Sequence, residues 1–165
     1  MMITLTGFMG SGKTTVGKVL ADFLGCPFMD LDDLVVKKAG KITPDIFAQD
    51  GEPAFRELEA QVLGKTVEKY AESTAVLALG GGDVLAPASA ALLHEKTVCI
   101  YLRATLDTLL ARLEGETAGR PLADDALASR LASREPVYEK TAHVIMDTDG
   151  LSPDEVADEI IISAL

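Results

Sequence analysis

Eight consecutive residues, Gly7-Phe8-Met9-Gly10-Ser11-Gly12-Lys13-Thr14, match the phosphate-binding pattern G-x-x-x-x-G-K-[ST] at every fixed position. A loop of this kind must curl its backbone round phosphate oxygens with the N–H groups facing inward, and glycine permits both the curvature and the close approach. Gly7, Gly10 and Gly12 supply it. The pattern gives Lys13 the β- and γ-phosphates as a point charge and Thr14 a hydroxyl for Mg²⁺, with the following helix aiming its positive end at the anion. The setting agrees. Met2-Ile3-Thr4-Leu5 reads as a short buried strand, and residues 15–24 place apolar side chains at helical spacing before Gly25 stops them. A nucleoside triphosphate is the expected ligand.

Other function classes are narrowed by composition. A chain of 165 residues that is 48% hydrophobic is most simply one domain with a proper core. A net charge of −11 argues against a nucleic-acid partner, since most of the surface would repel a phosphate backbone. An anionic substrate requires basic residues to converge locally. Cys26 and Cys99 lie far apart without metal-ligand spacing, and both read as packing residues of a reduced intracellular protein. No apolar run approaches membrane-spanning length, so the expectation is a soluble, cytoplasmic protein with no membrane partner, and a monomer is the default.

Along the chain, strands alternate with helices. Pro27-Phe28-Met29 is a brief strand ending in Asp30-Leu31-Asp32-Asp33, and a helical run reaches Ala39. Thr43 reads as a helix cap with Pro44 at the first position, Gly51 breaks the run, and 52–71 has the spacing of a long helix. Residues 75–79 form a buried strand cut off by Gly80-Gly81-Gly82. Pro87 opens a helix, 98–102 is a fourth strand, 106–113 another helix, and 114–121 a polar loop. Two short helical patterns, 125–132 and 136–141, precede a fifth strand at 143–146. Ser152-Pro153-Asp154-Glu155 caps and starts the last helix. This order predicts an α/β fold with a five-stranded, doubly wound parallel sheet between helical layers, with ligands beyond the carboxyl ends of the strands. The phosphate loop, Asp30/Asp32 and the triple glycine each follow a strand, so all three are expected on that edge.

Asp30 and Asp32 are two apart, and if the strand persists their carboxylates share one side. That suits an ion and a substrate hydroxyl, one carboxylate holding Mg²⁺ or its water while the other orients the attacking alcohol. A solvated helix-capping turn is the plainer alternative. Arg56 and Glu59 can neighbour each other on one helix as an ordinary ion pair. The triple glycine is either a turn or bare backbone that lets a ligand approach. Arg120, beside Gly119 and Pro121, is either a solvated loop residue or the cationic finger of a lid, and Arg134, ahead of a helix, is equally ambiguous. His94 and His143 read as residues at element ends.

Taken in order, these pieces resemble the shikimate kinase family nearly end to end. The phosphate loop is followed by Phe28-Met29-Asp30-Leu31-Asp32, by Ile46-Phe47 and Gly51-Glu52-Pro53-Ala54-Phe55-Arg56-Glu57-Leu58-Glu59, by Gly80-Gly81-Gly82, by Gly119-Arg120-Pro121-Leu122, and by Arg134 with Tyr138 and Ala142. The resemblance implies a P-loop NTPase fold of the nucleoside monophosphate kinase type, with a lid at about 114–124 and a substrate-binding helical part at about 32–60. It also implies ATP- and Mg²⁺-dependent phosphorylation of the 3-hydroxyl of shikimate, in the route to aromatic amino acids. Gly10, Ser11, Gly12, Lys13, Thr14 and Thr15 are then the nucleotide set, Arg112 the adenine-stacking arginine, and Thr14 with Asp30 the metal site. Asp32 holds the substrate hydroxyls and acts as base or positioner. Arg56 and Arg134 clamp the carboxylate, Glu59 orients Arg56, and Gly80, Gly81 and Gly82 bring backbone contacts. Lys13, Asp32 and Arg120 form the catalytic set, Arg120 swinging in on the lid. Two arginines around one carboxylate also supply the local positive charge that an acidic chain otherwise lacks. The lid differs from the family pattern at Leu122-Ala123, and Leu79 stands where a small or polar residue is frequent. The competing readings are a gluconate kinase or nucleoside monophosphate kinase of the same fold, or a nucleotide-binding module without turnover.

Overall fold

A computed structural model describes residues 1–116 and 124–165 of the chain. Five strands form one parallel sheet: β1 (Met2–Thr6), β2 (Phe28–Asp30), β3 (Ala75–Ala78), β4 (Val98–Arg103) and β5 (Val144–Asp147), in the spatial order β2-β3-β1-β4-β5. Helices α1 (Lys13–Leu24), α2 (Leu31–Ala39), α3 (Thr43–Asp50), α4 (Glu52–Lys69), α5 (Pro87–Lys96), α6 (Leu106–Glu116), α7 (Asp124–Thr141) and α8 (Pro153–Ala164) connect and follow them.

Strand alternation sends side chains to two cores. Ile3, Leu5, Val76, Ile100 and Leu102 pack against Val16 and Leu20 of α1 and Val156 and Ile160 of α8. The intervening Leu77 and Tyr101 join Val35, Phe55, Leu63, Leu93 and Tyr138 on the opposite face. With both faces covered, the strands read as nearly continuous apolar runs.

The register fixes the active edge. Asp30 lies opposite Ala78 and Leu5 opposite both Ala78 and Ile100, so Asp30, Ala78, Leu5 and Ile100 form one row across the sheet. Two residues past that row stand Asp32, Gly80 and Gly7. The three motifs found in the sequence therefore share one edge.

Three local expectations are corrected. Thr43 is not the cap of α3: the Asp45 and Ile46 N–H groups bond the Ile42 carbonyl at 3.0 and 3.1 Å, so Ile42 holds the cap position without a side-chain bond. The patterns at 125–132 and 136–141 are one helix, α7, with Pro136 inside it. Leu127, Leu131 and Tyr138, at helical spacing, are all buried and carry an apolar stripe across the proline. Arg134 thus lies within a helix rather than ahead of one. Finally, β2 does not persist to Asp32. Asp30 is the N-cap of α2, its Oδ1 accepting the Asp32 N–H at 3.0 Å, and the chain turns helical at Leu31.

Candidate active site

β1 runs directly into the phosphate loop. Gly10 and Gly12 have φ of 82° and 95°, and a methyl group on Gly7 would stand 2.7 Å from the Leu102 carbonyl oxygen. The loop therefore needs glycine for both conformation and space. Gly10, Gly12, Lys13, Thr14 and Thr15 line a hollow of about 160 Å³. It adjoins a cleft of about 290 Å³ whose walls include Arg112, Thr148, Leu151 and Pro153. Arg112 reaches back from α6, its Nη1 donating to the Gly10 and Ser11 carbonyls and to Thr148 Oγ1, each at 3.3 Å. Ser11 Oγ is buried without a hydrogen-bond partner among the described residues. Both the cradle and that orphaned hydroxyl fit a phosphate-bearing ligand.

Lys13 folds its ammonium onto the carbonyls of Gly7 at 2.7 Å and Phe8 at 3.1 Å. Burial lowers its pKa to about 8, with Asp83, Asp32 and Asp30 opposing and Arg134 assisting that shift. Thr14 Oγ1 donates to Asp30 Oδ2 at 3.0 Å, bringing the two expected metal-site residues together. The Asp32 carboxyl is raised above the ordinary carboxylate value, first by desolvation and then by Asp30 and Glu59, with Lys13 opposing.

The triple glycine is the meeting place of three side chains from three helices. A methyl group on Gly80 would lie 3.1 Å from Asp32 Oδ1, one on Gly81 3.3 Å from Arg134 Nη1, and one on Gly82 2.9 Å from Arg56 Nη1. A side chain at any of these positions would press on the group facing it. Arg56 Nη1 donates to Glu59 Oε1 at 3.0 Å, and Glu59 is only 5% exposed. Arg134 lies over the Phe8 ring at 5.8 Å and is hydrogen-bonded to Tyr138, whose hydroxyl donates to the Gly81 carbonyl at 2.6 Å. Two guanidinium groups thus converge beside a carboxylate in a chain of strongly negative net charge.

Arg120, most of the proposed lid and the Leu122-Ala123 departure lie outside the described residues. His94 and His143 are not isolated. Their rings stack 4.5 Å apart, and His143 Nδ1 accepts the Cys99 N–H, near the amino ends of β4 and β5 and away from the phosphate loop. Cys99 is buried and Cys26 half-buried, both as free thiols. A hollow of about 640 Å³ lies between α5 and α7 and shares no residue with the loop. Sequence reasoning missed Asp83, which is 2% exposed and accepts the Gly80 N–H, and Thr148, the partner of Arg112. Among the described residues no helix is long and apolar enough to cross a membrane.

Comparison with known proteins adds an independent line. A family model described as shikimate kinase matches residues 9–164. A shikimate kinase of Enterococcus faecalis is 42% identical over 164 residues, covering 96% of this chain and 95% of its own. The structure of shikimate kinase from Acinetobacter baumannii in complex with shikimate superposes with a TM-score of 0.86 at 31% identity, covering 97% of this chain and 90% of that one. That of shikimate kinase from Aquifex aeolicus gives 0.84 at 33% identity, with 99% and 95% coverage.

Proposed function

The chain belongs to the shikimate kinase family, and on that premise we propose that it phosphorylates the 3-hydroxyl of shikimate at the edge where Asp32, Arg56 and Arg134 meet the triple glycine. ATP supplies the phosphoryl group and Mg²⁺ offsets its charge, the products being ADP and shikimate 3-phosphate.

Gly10, Ser11, Gly12, Lys13, Thr14 and Thr15 hold the triphosphate, and Arg112 borders the cleft for the base. Thr14 and Asp30, joined through Oγ1 and Oδ2, would hold Mg²⁺, Asp30 by way of a hydration water, and the ion would offset phosphoryl charge. Asp32 orients the substrate hydroxyl and accepts its proton, a task helped by a carboxyl held above its ordinary pKa. Arg56 and Arg134 take the substrate carboxylate in bidentate fashion, Glu59 orienting Arg56. Lys13 and Arg120 neutralise charge developing on the transferred group. We assign 1–165 to one kinase domain, with a lid at about 114–124 and a substrate-binding helical part at about 32–60, acting as a cytoplasmic monomer. The two free thiols accord with a reducing compartment.

The observation that carries this reading is the convergence of Asp32, Arg134 and Arg56 on three consecutive glycines. It suits a small, hydroxylated, carboxylated acceptor. The test is an assay of ADP release with ATP, Mg²⁺ and shikimate, gluconate or a nucleoside monophosphate. Turnover with shikimate alone is expected. Turnover only with another acceptor would remove the assignment of the two arginines, and none with any acceptor would favour a binding module.

A further inference from the structure

Asp83 follows the triple glycine and opens a short 3-10 turn, Asp83–Leu85. An exposed aspartate there would be an unremarkable turn former. This one is only 2% exposed, and it touches more than its own turn. Its Oδ2 accepts the Gly80 N–H, and its side chain is hydrogen-bonded to that of Glu59 on α4. Glu59 in turn receives Arg56 Nη1 at 3.0 Å, and Arg56 lies against Gly82. The chain of contacts closes on itself: Gly80, Asp83, Glu59, Arg56, Gly82.

Two buried carboxyl groups in hydrogen-bond contact cannot both be ionised without large cost. As a carboxylate, Asp83 leaves Oδ1 buried without a hydrogen-bond partner among the described residues. As a carboxylic acid it donates from that oxygen to Glu59, which remains ionised against Arg56, and no polar atom of the pair is orphaned.

We propose that Asp83 is a positioning residue for the acceptor pocket, a neutral acid that ties the glycine turn to Glu59 and thereby sets Arg56 in register with Gly82. The inference rests on the kinase reading for its kinetic consequence, and for the state of the acid on the burial of Asp83 and Glu59, the Gly80 N–H at Oδ2 and the unpartnered Oδ1. The groups facing Asp83 act in the same direction or weakly against it. Burial, Glu59 on α4 and Asp32 on α2 raise its pKa well above the ordinary value, and the Gly80 N–H lowers it. Lys13 on α1 and Tyr138 on α7 also sense its charge.

The sign of the pH dependence follows. An acid whose folded-state pKa is raised contributes fully below the unfolded value, about 3.9, and that contribution is lost as pH rises through the folded value. Asp83→Asn keeps an acceptor for Gly80 and a donor for Glu59 and cannot ionise, whereas Asp83→Ala has neither. The natural protein is expected to show the infrared band of a buried neutral carboxylic acid at pH 7, and Asp83→Asn to lack it. Asp83→Ala is expected to raise the KM for shikimate about tenfold with the KM for ATP little changed, the loss of one buried charge-linked contact being of that order. Asp83→Asn should restore the shikimate KM and unfold with a flatter pH dependence as pH rises from about 3.9, the unfolded value. Absence of the acid band overturns the neutral-acid assignment whether or not shikimate is turned over. Unchanged shikimate KM in Asp83→Ala, or failure of Asp83→Asn to restore it, overturns the positioning role. Failure of the natural protein to use shikimate would strike the kinase reading instead, leaving the band to decide the acid.

Discussion

The Tyr138 hydroxyl donates to the carbonyl oxygen of Gly81 at 2.6 Å, fastening helix α7 to the glycine turn 57 residues earlier in the chain. Tyr138 is fully buried, and its ring lies 5.1 Å from that of Tyr101 on β4, so the hydroxyl is delivered by a side chain with little freedom. Arg134, one helical turn before it, is aimed at the same glycine. Tyr138→Phe keeps the packing and removes the bond. It should cost about 1 kcal/mol of stability, the net worth of a typical intramolecular hydrogen bond, and raise the KM for shikimate more than that for ATP. Denaturant melts and paired KM measurements check it, and an equal rise in both constants would detach Tyr138 from the acceptor side.

Gly82→Ala isolates the contribution of space. Gly82 has φ −110° and ψ −1°, a conformation open to alanine, so the substitution meets no backbone penalty. Its methyl group would stand 2.9, 3.0 and 3.2 Å from Arg56 Nη1, Nη2 and Cζ, and the guanidinium must yield. Stability should change by less than about 1 kcal/mol, since the unfolded chain also loses freedom. The shikimate KM should rise about tenfold, as expected for loss of one well-placed charged contact. A variant with unchanged KM would show that Arg56 does not set acceptor affinity.

These residues differ in how far they could be read without coordinates. The phosphate loop and triple glycine were legible because a backbone that must curl or lie bare demands glycine at fixed spacing. The two-layer core followed from alternation of strands and helices. Asp83 was not legible, because an aspartate after three glycines reads as a turn residue, and its burial depends on α4 bringing Glu59 across. Thr148 escaped for a similar reason: it meets Arg112 only through the pairing of β4 with β5. The break expected at Pro136 overestimated local chemistry, since the stripe of Leu127, Leu131 and Tyr138 holds α7 together. Arg56 and Glu59 looked like a surface pair, and the acid turned out to be buried.

Asp30 serves two groups at once, capping α2 through Oδ1 and accepting Thr14 Oγ1 through Oδ2. Asparagine caps a helix about as well as aspartate. Asp30→Asn should therefore melt within a few tenths of a kcal/mol of the natural protein while binding Mg²⁺ about tenfold more weakly, the lower end of the effect of losing an outer-shell carboxylate. Activity should recover in part as Mg²⁺ is raised. Titrating the rate against Mg²⁺ beside a denaturant melt without the ion separates this from a folding defect, which would lower the ion-free midpoint.

Arg103 and Asp147 sit opposite each other at the ends of β4 and β5, joined through Nε–Oδ1 at 2.6 Å and Nη2–Oδ2 at 2.9 Å. Beyond them, the Thr148 N–H donates to the Arg103 carbonyl at 2.9 Å, and Thr148 Oγ1 accepts from Arg112 beside the phosphate loop. The pair is therefore a brace behind the nucleotide cleft. Arg103 holds the Asp147 carboxyl below its ordinary pKa, so the stabilisation is present above about pH 3.9, the unfolded value, and is lost as pH falls through the lower folded value. Both side chains are well exposed, 38% and 68%, so solvent limits the gain. Asp147→Asn should cost less than about 1 kcal/mol at neutral pH, and the difference should shrink towards zero in acid and in high salt. Unfolding curves of the two proteins at neutral and strongly acid pH test this. A gap that persisted in acid would assign the loss to packing at the strand ends rather than to the ion pair.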